Sequence, residues 1–165
     1  VTEMLGHGTH GQPAGTVTDD TDMMLCIGRS LAEQQAFDGQ DIADRFAEWY
    51  DDGPFDIGLM TADAISEYQS GTSWRDAGRE VWQRRTEGSN AGNGSIMRCA
   101  PHAIAFAEEP DTLERVSTQS SAITHHDSRC QYGCVILNQT IAGFLCGAES
   151  PLADAIARVD GDGPD

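Results

Sequence analysis

At 165 residues, with 27 acids against ten arginines and no lysine, the chain carries a formal net charge of -17 and a pI near 4.3. That balance excludes a nucleic-acid binder, which needs a basic footprint, and any long-range attraction to anionic membrane. The length suits one domain, 1–165, able to bury a core without disulfides or a structural metal.

The acids are spread along the chain, and aromatic and branched residues recur at helical spacing, so the charge is the surface of a folded protein. An acid-rich, lysine-free composition suits a salt-accumulating, halophilic cytoplasm, where ions screen the self-repulsion. The five cysteines form no Cys-x-x-Cys pair and read as free thiols in a reducing compartment. No apolar run approaches the ~20 residues of a membrane span, and no signal peptide is seen. Val1 at one end and the polar run Asp160 to Asp165 at the other read as the ends of a fragment.

In chain order, residues 1–17 read as an irregular loop punctuated by Gly6, Gly8, Gly11 and Gly15, with His7 and His10 as exposed loop histidines. A first helix is expected from about Asp22 to Ala36, then a break at Asp38-Gly39. Ile42, Phe46 and Trp49 define a second helix. After the turn at Gly53-Pro54, helices are expected at Thr61–Gln69 and Trp74–Arg85. Periodicity is lost from Thr86 to Ser95 and returns over Met97–Ala107, with Pro101 near the start of that helix. Asp111-Thr112 open the next helix, whose face is Leu113, Val116, Ser120 and Ile123. Ser128–Cys146 is the longest, with Cys130, Cys134, Leu137, Ile141 and Leu145 inward, and Pro151–Val159 is the last. No alternating strand is present in the pattern, so the class is all-α, a compact multi-helix bundle. Its two long loops, 1–17 and 86–96, are where function concentrates.

Three stretches carry chemistry. Gly15-Thr16-Val17-Thr18-Asp19-Asp20-Thr21 leads into the first helix, putting two adjacent carboxylates at its positive end. Two readings stay open there: Thr18 or Asp19 as an N-cap, or a hard-oxygen donor set for Mg²⁺ or Mn²⁺. Gly88-Ser89-Asn90-Ala91-Gly92-Asn93-Gly94 precedes a helix and is either a flexible turn or a loop whose backbone approaches phosphate oxygens. No lysine follows, so it is not a P-loop. His125 and His126 end a helix, where the dipole favours a cation, or else one of them reaches an anionic ligand or a ribose hydroxyl.

Taken in this order, the motifs resemble those of the ADP-ribosylglycohydrolase family. The resemblance rests on Thr2-Glu3-Met4, Gly15 to Thr21, Phe55-Asp56-Ile57-Gly58, Gly92-Asn93-Gly94-Ser95-Ile96-Met97-Arg98 and Ser121-Ala122-Ile123-Thr124-His125, and it covers nearly the whole chain. It implies an all-helical fold and a metal-dependent hydrolase that removes ADP-ribose from proteins or small conjugates, using two divalent cations, Mg or Mn. By resemblance Thr18, Asp19 and Asp20 are metal ligands, and Asp19, Asp20 and Asp56 are catalytic. Gly88, Ser89, Asn90, Ala91, Gly92, Asn93 and Gly94 would wrap the diphosphate and nearby ribose, and His125 would contact the ligand. The family pattern also includes an N-terminal helix with an acidic ligand and a C-terminal Asp-x-Asp-Thr. Neither is found here, and Asp160 and Asp162 are read as solvated tail, so the fragment is expected to hold half a metal site and to be inactive alone. A non-catalytic relative that binds ADP-ribose, and a generic acidic helical domain, are the competing readings.

Overall fold

The computed structural model describes residues 3–161; Val1, Thr2 and the tail from Asp162 to Asp165 lie outside it. Its described residues form eight α-helices and one 3-10 turn, with no strand, as the periodicity predicts.

Helix α1 (Asp19–Gln34) begins three residues earlier than its apolar stripe suggests, because Thr18 takes the extended N-cap position and both aspartates are already helical. It buries Met23, Cys26, Ile27, Ser30 and Leu31 at helical spacing and ends at Gln35 in the left-handed region, φ 55°. Asp38 caps α2 (Gly39–Asp51), its carboxylate accepting from the N–H groups of Gln40 and Asp41. Gly39 is required there, since a Cβ would lie 2.4 Å from the Trp74 ring. α3 (Leu59–Gln69) follows, then α4 (Ala77–Arg84), which starts later than Trp74 because Ser73 to Asp76 form a turn, the Asp76 N–H donating to the Ser73 carbonyl.

The single helix expected over Met97–Ala107 is instead a 3-10 turn, Ile96–Arg98, followed by α5 (Ala100–Ala105). Pro101 sits at the start of α5, where its missing N–H costs nothing. A helix continuing through it would drive its ring into the carbonyl of Met97. α6 (Pro110–Ala122) and α7 (Ser128–Leu145) match the expected bounds, but α7 buries Cys130, Cys134, Val135, Asn138 and Ala142, leaving Leu137 and Ile141 half-buried and Leu145 exposed. Asp127 caps α7, accepting from the Arg129 N–H, and α8 (Pro151–Gly161) closes the described chain, with Asp160 exposed near its end.

Packing forms a core of Met23, Ile27, Leu31, Ile42, Phe46, Ile65, Trp74 and Ile123, and a second cluster of Leu113, Val116 and Ala142. Burying a side chain such as Phe46 contributes about 2–3 kcal/mol. α7 lies against α5, α6 and α8, and Asn138 on α7 donates to Ser117 on α6 across 2.7 Å, inside the protein. Cys130 and Cys134 share the buried face of α7, and all five cysteines are free. No helix among the described residues is long and apolar enough to cross a membrane.

Candidate active site

The N-terminus of α1 is not side-chain capped. Thr18 occupies the N-cap position, but its hydroxyl donates to Asp20 Oδ2 at 3.1 Å instead of serving the helix. Asp19 is buried, at 9 % exposure, while Asp20 is exposed and Asp56 half-buried. Burial raises the Asp19 carboxyl above its ordinary range, and the negative charges of Asp56 and then Asp20 push it the same way. Three carboxylates therefore act on one another at this end of the helix. A cation would relieve that repulsion where all three are ionised, and the donors are all hard oxygens, which fit Mg²⁺ or Mn²⁺ in kind. Among the described residues no group of three or more His, Cys, Asp and Glu side chains is arranged to hold a metal ion by itself. His10 reaches Asp56, Nε2 to Oδ2 4.0 Å, with its ring against Phe55.

The glycine-asparagine loop is held by its ends and open in its middle. Gly88 is left-handed, φ 86°, and the Ser89 N–H and hydroxyl both donate to the Thr86 carbonyl. Asn90 is buried and accepts from Arg129 at 3.2 Å. Arg129 is in turn fixed on Asp127 through two side-chain hydrogen bonds, and Trp82 Nε1 donates to the same carboxylate at 3.0 Å. Cys130 Sγ donates to the Gly92 carbonyl at 3.3 Å, and the Asn93 carbonyl accepts the Met97 N–H. Ser95 is anchored from below by Ser121 and Cys134. Between these anchors the N–H groups of residues 90–94 donate to no protein acceptor among the described residues, as a loop that meets an anion requires.

His125 lies directly beneath that loop. It is 2 % exposed, and a Cβ built on Gly92 or Gly94 would stand 3.4 Å or 3.0 Å from its Nε2. The ring is neutral: burial pushes its pKa down to about 3, assisted by the charges of Arg98 and Arg85. His126 points elsewhere, stacking at 5.7 Å on Trp82. The helix-end cation expected for these histidines is absent in the case of His125.

One buried side chain joins α1 to the residues beneath the loop. Arg98, fully buried, donates to Thr124 Oγ1 at 2.7 Å and to Met23 Sδ at 3.5 Å, with the Phe46 ring 4.5 Å from its carbon. Thr124 Oγ1 meets His125 Nδ1 at 2.8 Å. Burial lowers the Arg98 pKa to about 10, opposed by the neighbouring Cys134, Cys99 and Cys26 and, last, by Asp19. Arg98 and Thr124 stand inside motifs of the sequence, but their link, like that of His10 to Asp56, has no local signature.

A family model described as ADP-ribosylglycohydrolase matches residues 1–162. An ADP-ribosyl-[dinitrogen reductase] glycohydrolase of Rhodospirillum rubrum is 34 % identical over 88 % of this chain and 47 % of its own length. The ADP-ribosylarginine hydrolase Tri1 of Pseudomonas putida (strain GB-1) is 33 % identical over 94 % of this chain and 43 % of its own. A solved structure titled ADP-ribosylglycohydrolase-related protein complex superposes with a TM-score of 0.75 at 29 % identity, covering 98 % of this chain and 52 % of that one. The chain thus spans about half the length of the relatives it matches. Its helices, its motifs and these likenesses agree: the chain belongs to the ADP-ribosylglycohydrolase family.

Proposed function

We propose that the protein carrying this chain is a metal-dependent hydrolase that removes ADP-ribose from modified protein side chains or small ADP-ribosyl conjugates by cleaving an N- or O-glycosidic bond. The observation that carries this reading is Arg98, which donates to Met23 on α1 and to Thr124, whose hydroxyl meets His125 beneath the glycine loop, so the acidic helix and the loop share one buried support.

The free N–H groups of residues 90–94 bind the diphosphate, and His125 contacts the ligand beneath the loop. Thr18, Asp19 and Asp20 would hold divalent cation, Mg or Mn, together with further ligands. Bound there, the cation supplies Lewis acidity beside the ribose. Departure of the acceptor leaves positive charge on the ribose ring, which the Asp56 carboxylate stabilises electrostatically; water oxygen then bonds to the anomeric carbon and its released proton balances the one taken up by the departing acceptor.

The test is release of ADP-ribose from modified arginine by the full-length protein, with and without Mg²⁺, alongside Asp19→Asn and Asp20→Asn. Loss of release in both variants supports the reading, whereas equal activity ends the metal assignment. ADP-ribose binding without any release identifies a non-catalytic member of the family.

A further inference from the structure

We infer that Arg98 and Thr124 are positioning residues that set the tautomer of His125, so that its Nε2–H is presented as a hydrogen-bond donor to an oxygen of the ligand held by the loop. The inference rests on the proposed ADP-ribose reading for the identity of that ligand. The proton assignment rests on geometry alone.

The argument is an accounting of donors. Arg98 has only N–H groups, so at 2.7 Å it donates and Thr124 Oγ1 accepts. Thr124 is wholly buried, and its hydroxyl proton must go somewhere, because an unpaired buried hydroxyl is costly. The remaining neighbour of that oxygen is His125 Nδ1, at 2.8 Å. If Nδ1 carried a proton, two donors would converge on the oxygen and its own proton would lack an acceptor. Nδ1 therefore accepts, and the single proton of the neutral ring sits on Nε2.

That N–H makes no hydrogen bond to a described residue and is not sealed from solvent. It lies against Gly92 and Gly94, whose lack of side chains lets the loop backbone approach the edge of the ring. An unpartnered donor on a ring 98 % hidden from solvent, at the floor of a loop with free backbone N–H groups, is complementary to an oxygen acceptor such as a ribose hydroxyl or a phosphate oxygen. A cationic ring would donate from both nitrogens and would confront the Arg98 charge. The relay through Thr124 keeps one donor, aimed one way.

Two measurements on the full-length protein decide it. Nitrogen NMR of ring-labelled histidine reads the wild-type tautomer directly: the expected result is a protonated Nε2 and an unprotonated Nδ1, and the reverse assignment or a doubly protonated ring overturns the inference. ADP-ribose affinity is then measured for Thr124→Val, Thr124→Ser, His125→Ala and the Thr124→Val, His125→Ala double variant. Thr124→Val should weaken binding about tenfold, the size of one hydrogen bond, with Thr124→Ser restoring it. In the His125→Ala background the same change should cost nothing further. Additive losses overturn the positioning role. Absence of ADP-ribose binding to the wild type overturns the proposed function, while the NMR result still decides the tautomer.

Discussion

Gly94 lies so close to His125 that a methyl group on it would stand 2.7 Å from the ring Cε1, and 3.0 Å from Thr61 Oγ1 on α3. Loop, histidine and α3 thus meet at one point with no space to spare. Gly94→Ala is expected to displace either the ring or the loop and to weaken ADP-ribose binding at least about tenfold, roughly 1.4 kcal/mol. Calorimetric titration checks it, and an unchanged affinity would show that loop and histidine do not share the ligand.

Asp127 gives a prediction in pH. Its carboxyl is held well below the usual carboxylate range, first by the Arg129 side chain and then by Trp82 and the Arg129 N–H, against the opposing effect of burial. A depressed folded value stabilises the fold above the unfolded value of about 3.9, and that contribution declines as pH falls toward the folded one. Asp127→Asn can keep the N-cap but loses the charge. Its melting temperature should fall less steeply than wild type as pH drops below about 4. Parallel acid limbs would remove the claim.

Much of this was legible in the chain. Apolar spacing at Ile42, Phe46 and Trp49 fixes a helix because burial pays for it wherever the stripe is continuous, whereas along Cys130 to Leu145 the helix forms but Val135, Asn138 and Ala142 take the buried face and Leu145 stands exposed. The break at Pro101 was visible as a residue but not as two elements, since only the clash with the preceding turn decides where the helix restarts. The acids and the glycine loop were equally visible as motifs. His125 was singled out by the resemblance to the family, whereas the bond from Arg98 to Thr124 was not visible, since it spans 26 residues and exists only after α1, α5 and α6 have packed.

Cation binding supplies a third expectation, independent of turnover. Mg²⁺ or Mn²⁺ should stabilise the full-length wild-type protein by about 2.7 kcal/mol at a hundredfold excess over Kd, seen as a higher melting temperature, and chelator should reverse the gain. Asp19→Asn should be indifferent to both. It should also be no less stable than wild type without metal at neutral pH, because burial and the Asp56 and Asp20 charges oppose ionisation of Asp19. A variant that still gains stability from cation would place the binding elsewhere.

Salt is the fourth variable. A net charge of -17 with no lysine makes the compact state repel itself in dilute buffer, so molar KCl should raise the melting temperature and low salt should lower it. Thermal scans across that range suffice, and indifference to KCl would argue against a salt-adapted protein.

The indole of Trp82 shares one carboxylate with the arginine that grips Asn90. A diphosphate taken up by the loop, as proposed, would pull on that shared carboxylate and alter the polarity around the indole. With Trp49 and Trp74 replaced by phenylalanine, the emission of Trp82 would then serve as an optical gauge of occupancy without a dye.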